Sequence, residues 1–333
     1  MSANIHSAEP ATAFLESVHC AQLSGLRVIQ LSGADALSFL HGQLTQDVQG
    51  LAPDSARLAA YCSAKGRMLA SVVMWRVQLE DGSAAVRALV DASVVDSLVK
   101  RLRMFVLRAK VLIEALDLRV SGVWADTDSS RDALDAWAGG MPTEPWQLTT
   151  GSQGVWIAAP RGVTAPAGRW WHVSTDSQAL PLDCDADEQV WRQQDILAGL
   201  PWVTQPLQDL VMPLVANFDL IGGVSFTKGC YPGQEVVART HYLGKQKRRT
   251  LLGHVMSGAS LAAQDMTGAD VYQAQSGGEP LGRVINAASG ATGTYLLFEA
   301  PVATALGAEL RLGAPDGPEI SVQPLPYSVV AES

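Results

Sequence analysis

Residues 225–240, SFTKGCYPGQEVVART, concentrate a thiol, an amine, a phenol, a carboxylate and a guanidinium in one short run. A cysteine here could serve as nucleophile, redox thiol or metal ligand, in each case through its thiolate. Residues 224–227 read as a short strand, Gly229 permits a turn or a close backbone approach, and Pro232 suits the start of a helix that Glu235, Val236 and Val237 continue. Cys230 then stands just ahead of a helix N-terminus. Unpaired N–H groups and the helix dipole favour a thiolate there, and Lys228 adds positive charge nearby. The competing reading is a half-buried cysteine that packs like alanine. Tyr231 reads as a packing or stacking residue. Gln234 and Glu235 could bind an amide or a guanidine-like ligand edge, or simply cap the helix. Arg239 lies one helical turn beyond Glu235, which an ordinary surface ion pair explains equally well.

The elements that must position this run are partly legible. Residues 26–31 look like a strand. Ser32 with Asp35 forms a capping-box pattern, and Leu37, Leu40, Leu44 and Val48 then fall on one helical face, so a helix is expected to run to about Val48. Residues 56–76 are strand-like, broken by a hairpin turn at Lys65-Gly66-Arg67, and 86–90 add another strand. Ser93 with Asp96 repeats the capping box before an amphipathic helix on Val95, Leu98, Val99, Leu102 and Val106, and 108–114 return as a strand. Strand, strand, helix, strand is part of a ferredoxin-like unit. Residues 125–187 hold Asp/Ser turns, a Trp-rich section and a Pro/Gly patch, with strands whose register is not readable. Asp187 opens a helix bearing Val190, Trp191, Gln194 and Leu197, which Gly199 and Pro201 stop. After Leu251, short runs alternate with turn residues about every ten residues, the grammar of a small β-barrel.

Bulk properties narrow the function. The chain has 333 residues, 47% hydrophobic and 17% charged, which implies a folded protein of more than one domain. No apolar run approaches the roughly 18–20 residues that span a bilayer. The start, MSANIHSAEP, has neither the basic nor the apolar region of a secretory signal, so a disordered tail over 1–20 and a cytoplasmic protein are expected. A net charge of −9 argues against wholesale capture of nucleic acid or anionic lipid. Two basic stretches stand out locally: 239–249, with five Lys or Arg plus His241, and 100–110, with Lys100, Arg101, Arg103, Arg108 and Lys110. They read either as solvated faces or as a local anion site. The four cysteines at 20, 62, 184 and 230 lack zinc-ligand spacing and are expected to be reduced thiols without a metal. His41, His241 and His254 are scattered and receive no role.

Lys228-Gly229-Cys230-Tyr231-Pro232-Gly233-Gln234-Glu235 resembles the K-G-C-Y-x-G-Q-E signature of the YgfZ family, relatives of the glycine-cleavage T-protein. Gly33-Ala34-Asp35 with Gly42-Gln43-Leu44-Thr45-Gln46-Asp47-Val48 is similar to the family's G-x-D…G-Q-x-T-x-D-V, Lys65-Gly66-Arg67 matches its K-G-[KR], and Pro324-Leu325-Pro326-Tyr327-Ser328 its common ending. The resemblance implies an α+β fold, a three-domain cloverleaf around a central channel. It would comprise 21–48 with 117–187, a ferredoxin-like domain of 49–116 with 188–245 that carries the motif, and a C-terminal barrel over 246–333. It further implies tetrahydrofolate in the channel, a functional thiol at Cys230 beside it, and contacts from Lys228, Tyr231, Gln234, Glu235 and Arg239. Trp191 matches a folate-contacting Trp of the family; Leu26 stands where another member carries a second Trp. The implied role is an accessory protein for Fe–S cluster assembly or repair, with partners such as a tRNA methylthiotransferase, no membrane and no direct nucleic acid contact.

The T-protein places paired aspartates after the hairpin. Here Ala70 and Ser71 follow, and neither offers a carboxylate, which argues against aminomethyl transfer. A folate-dependent one-carbon transferase and a binding module without chemistry stand as the alternatives.

Overall fold

The computed structural model describes residues 17–175, 180, 182–242, 246–256, 266–274 and 278–329. Most of the expected N-terminal tail lies outside these residues. Its last three residues, 18–20, belong instead to strand β1 (Val18–Gln22). The strand β2 (Leu26–Ser32) then leaves for a different sheet, followed by helix α1 (Ala36–His41), β3 (Ala56–Cys62), β4 (Met68–Gln78), β5 (Ala84–Asp91), α2 (Val95–Val106) and β6 (Leu112–Leu116). These strands pair in the order β3-β4-β5-β2-β6. Residues 26–32 thus belong with 56–116, not with 117–187 as the sequence grouping had them, because β2 hydrogen-bonds to β5 and β6 along its whole length.

The chain next forms β7 (Arg119–Ala125), α3 (Asp128–Ala138), β8 (Leu148–Gly151), β9 (Gly154–Ala158) and β10 (Gly168–Ser174), which with β1 make the antiparallel sheet β1-β7-β10-β9-β8. Helix α4 (Glu188–Leu197) follows, then a long irregular stretch and α5 (Gln234–Tyr242). A closed barrel completes the fold: β11 (Arg248–Met256), β12 (Asp270–Gln273), β13 (Gly282–Gly290), β14 (Gly293–Pro301), α6 (Val302–Gly307), β15 (Leu310–Leu312) and β16 (Glu319–Gln323). The expected α+β architecture ending in a barrel is present.

Strand alternation explains the layering. Val28, Leu58, Ala60, Val73, Trp75 and Leu89 point to one side of the β3–β6 sheet, where they meet Trp171, Ile157 and Val155 of the other sheet. Their neighbours Ile29, Leu31, Ala59, Tyr61, Val72 and Met74 point to the opposite side, onto Leu40 of α1 and Leu98 and Leu102 of α2. The central strands β4 and β10 are covered on both faces, so Met68–Trp75 and the whole of β10 are buried. The barrel adds Leu252, Ile285, Ala288 and Leu297 to the same core, which joins all three sheets.

Burial in β10 has a cost that pH exposes. His172 is fully buried; its Nε2 lies 2.7 Å from the Gln153 carbonyl, to which it donates, while Nδ1 has no partner. Protonating Nδ1 would strand a charge, and burial lowers the imidazole to about 4 from an ordinary 6.5. The unfolded chain takes up a proton below about 6.5, whereas the folded chain resists until about 4. Stability is therefore lost as pH falls through that window. Melting temperatures should drop more steeply between these values in the wild type than in His172→Gln; parallel curves would remove His172 as the cause.

Two further expectations are corrected. Helix α1 ends at His41 rather than near Val48. Leu44 and Val48 are buried for another reason, since the backbone between them crosses to β3 through Thr45 N donating to the Ala60 carbonyl. Cys20 and Cys184 form a disulfide instead of two free thiols, which leaves Cys62, buried, and Cys230, exposed. Burial pushes the Cys62 thiol up to about 12, so it is inert at neutral pH.

Candidate functional site

Three of the sequence motifs assemble around Cys230. Thr45 is fully buried; its hydroxyl donates to the Gly223 carbonyl at 2.6 Å and accepts from Ala60 N at 2.8 Å. Ser225 N donates to the Thr45 carbonyl, and Gln46 Nε2 to the Gly222 carbonyl at 2.7 Å. These bonds lay the 222–230 segment along the 42–48 segment. Lys228 fixes the crossing point. Its amine donates to the carbonyls of His41, the last residue of α1, and of Leu44 just beyond it, and lies 5.2 Å from the Tyr231 ring centroid. Burial lowers this amine to about 8, with Asp47 and Cys230 opposing the shift. Asp47 in turn sits 3.1 Å from His41 Nδ1 and accepts from Gly50 N.

The hairpin motif closes the other side. Gly233 has φ +79°, and a Cβ there would lie 2.5 Å from the Ser63 carbonyl and 2.6 Å from Gly66 Cα. Only glycine at 233 lets the two turns touch. This contact also corrects the local reading. The left-handed Gly233 interrupts the chain, α5 begins at Gln234, and no strand forms over 224–227. Cys230 therefore precedes the helix by four residues, outside the first turn where the dipole acts. It is exposed on the surface of this loop cluster.

A cavity lies elsewhere, between β2, α4 and the barrel. It encloses about 470 Å³ and is walled by Leu23, Gly25 and Leu26, by Asp91–Ser93, by α4, by residues 200–206 and by Thr267, Asn286 and Ala287 of the barrel region. A volume of this size holds a small organic ligand. Asn286 clamps the barrel to the wall: its Oδ1 accepts from Trp202 N at 2.8 Å and its Nδ2 donates to the Trp202 carbonyl at 3.0 Å. The terminal motif has a similar task, since the Tyr327 hydroxyl donates to the Gly199 carbonyl at the end of α4.

Of the sequence-predicted residues, Leu26 and Trp191 line this cavity. Cys230, Lys228, Tyr231, Gln234, Glu235 and Arg239 do not; Tyr231 is buried beneath the motif loop, while Glu235 and Arg239 are exposed on α5. Trp191 is 1% exposed, and its π surface is largely occupied. The Arg169 guanidinium lies 4.1 Å from its ring centroid, and the Gly122 backbone presses so close that a Cβ would fall 2.3 Å from Cε3. Its indole is thus mostly core, packed with Trp124 and Trp171.

Residues that sequence reasoning missed supply the cavity's polarity. Asp195, one turn after Trp191, pairs with Arg169 and accepts from Trp202 Nε1 at 2.9 Å. Glu188 accepts from Ser24 and Gly25 N–H groups and from Arg192. Gln189 Oε1, Trp191 Nε1 and Thr204 Oγ1, all on lining residues, are buried without a protein partner. A signal for Asp195 was available, an acid at i+4 on the buried stripe of α4; Arg169, in a Trp-rich strand, had none.

Among the described residues no cluster of His, Cys, Asp or Glu could hold a metal ion, and no helix is long and apolar enough to cross a membrane.

Comparison with known proteins finds no matching family model. The chain is 29% identical over 319 residues to a tRNA-modifying protein YgfZ of Serratia proteamaculans, covering 92% of this chain and 91% of that protein. It is likewise 29% identical over 320 residues to a tRNA-modifying protein YgfZ of Yersinia pestis. A Haemophilus influenzae protein is 30% identical over 236 residues, 71% of this chain and 73% of its own length. In structure, the glycine cleavage system aminomethyltransferase T from Bartonella henselae aligns with TM-score 0.66 at 17% identity, over 93% of this chain and 86% of that one, a likeness of fold.

Proposed function

We propose, from the premise that the chain belongs to the YgfZ/GcvT family, that it binds a tetrahydrofolate-type ligand in the central cavity and serves as an accessory protein. Its task is the assembly or repair of Fe–S clusters, including those used in tRNA modification, with Cys230 as the working thiol in the cytoplasm. The observation that carries the folate reading is the cavity itself, about 470 Å³ walled by Trp191 and Trp202 together with the polar side chains of Asp91, Glu188, Gln189, Arg192, Asp195 and Asn286. Curated relatives named for tRNA modification support the cellular role.

The same wall speaks against one-carbon transfer. Its three carboxylates are already engaged: Asp91 by Ser93, Glu188 by Ser24, Gly25 and Arg192, and Asp195 by Arg169 and Trp202. Ser71, in the region where the T-protein carries aspartate, accepts from Val203 N at 2.9 Å and is buried. A transferase would need a free carboxylate at the reacting edge.

Calorimetric titration with tetrahydrofolate tests the reading. Saturable one-to-one binding is expected for the wild type. Ala287→Phe, which fills the cavity from the barrel side, should weaken it at least about tenfold, or 1.4 kcal/mol. Trp191→Ala is the poorer probe, since removing a core indole costs about 3–5 kcal/mol of fold stability on its own. No saturable binding, or binding indifferent to Ala287→Phe, removes the ligand from this cavity.

A further inference from the structure

We propose that residues 100–112 form a docking surface for a partner protein that presents acidic side chains around an apolar centre. Within α2, Val95, Leu98, Val99 and Leu102 face the core, which turns Arg101, Met104 and Phe105 outward at i, i+3 and i+4. Met104 is 67% exposed, Phe105 49%, Leu107 89% and Leu112 55%. Four large apolar side chains in water within so short a segment form a patch, which marks an interaction site more often than an accident of folding.

The backbone is built to present that patch. Leu107 has φ 45° and ψ −101°, a sparsely populated conformation that costs a leucine about 1–3 kcal/mol. Two residues of the G-x-D motif hold it there. Asp35 accepts from Lys110 N at 2.8 Å and returns its own N–H to the Lys110 carbonyl. Gly33, at φ +108°, admits that carbonyl where a Cβ would stand 2.3 Å away. A motif read from sequence as helix capping thus serves to clasp the loop that lifts Leu107 into solvent.

Charge selects the partner. Lys100, Arg101, Arg103, Arg108 and Lys110, all exposed, share this segment in a chain whose net charge is −9, although Arg103 donates to the Ile113 carbonyl and Arg101 to Tyr61. Among the described residues none of the five is in an ion pair. Basic residues around apolar anchors speed encounter with an acidic surface and reject a basic one. A protein fits better than RNA, because Met104, Phe105, Leu107 and Leu112 call for apolar side chains that a phosphate backbone does not offer. Strand β6 also lies at the edge of its sheet, where its Ile113 carbonyl accepts from Arg103.

The position links this surface to the thiol. Lys110 is fastened to the start of α1 through Asp35, and Lys228 to its end through the His41 carbonyl. Six residues of helix span about 9 Å. The surface and the motif loop are thus fastened to opposite ends of one short helix; identification of the partner as an Fe–S client rests on the function proposed above, and the docking itself requires neither folate nor the thiol.

The test measures fluorescence anisotropy of a labelled Glu/Leu amphipathic helical peptide of about 18 residues against the full chain. A Lys/Leu twin, phosphatidylglycerol-containing vesicles and an oligouridylate serve as the other arms. The Glu/Leu peptide should bind at least about tenfold more tightly than its twin, and Phe105→Ser with Leu107→Ser should weaken it at least about tenfold. Arg108→Glu, at an exposed site that leaves the fold intact, should do the same. Equal binding of both peptides, indifference to these substitutions, or Leu107-dependent capture by vesicles or RNA overturns the proposal. Tetrahydrofolate titration of the same variants should be unchanged, so that failure here is distinct from failure of the folate reading.

Discussion

Asp195→Ala should lower the free energy of unfolding by about 3–5 kcal/mol, the range found when one member of a buried ion pair is removed. Arg169 has no exposed side-chain surface and Asp195 only 6%. Burial pushes the carboxyl up and the guanidinium down, and each partner opposes that shift in the other. Arginine's ordinary pKa is so high that it remains charged. Without the carboxylate, a cation already lacking a partner at Nε would be left against the Trp191 ring, and Trp202 Nε1 would lose its acceptor. Urea denaturation followed by tryptophan emission reads the loss. Arg169→Met combined with Asp195→Leu should recover much of it, because an apolar pair carries no desolvation cost. A single-variant loss below about 1 kcal/mol would show that water reaches the pair.

Cys230→Ala should abolish support of Fe–S enzymes in cells lacking the wild-type copy, to the level of cells with no protein, while thermal stability and tetrahydrofolate titration stay as they were. The sulfur is exposed, so its removal opens no cavity. Cys62→Ala is the matched control: that thiol is buried, with its ionisation pushed up to about 12, and its loss should spare the activity apart from a modest effect on stability. Undiminished Fe–S enzyme activity in Cys230→Ala would sink the thiol role and favour a module that acts by binding. Such a module would hold its partner through the basic stretch 239–249, and a charge reversal to test it suits Lys247, which is exposed; Arg248 is paired with Glu299, and Lys245 lies outside the described residues.

Periodicity made some of this legible in advance. Helix α4 with its Asp187 cap, the buried stripe of α2, the hairpin at Gly66 and the closed barrel all follow from local pattern. Where the pattern misled, a long-range contact had taken over a residue that local rules claimed. Leu44 and Val48 carried helical spacing, yet Thr45 ties that backbone to β3 and to Gly223. Pro232 promised a helix start, but Gly233 must turn left to meet Gly66. The cavity was illegible because its wall comes from five separated stretches between Leu23 and Ala287. Nor does spacing announce a disulfide between residues 164 apart. The motif string pointed to Cys230 and its scaffold, and gave no hint that this scaffold and the cavity are distinct surfaces.

The Cys20–Cys184 bond makes the intervening polypeptide a covalent ring, with β2 through β10 strung between its two ends. A backbone cut anywhere inside that ring yields two pieces that still travel as one molecule until a reductant opens the link. The strand on one side of the bond and the approach to α4 on the other are thus leashed by a tether that a severed peptide bond does not release.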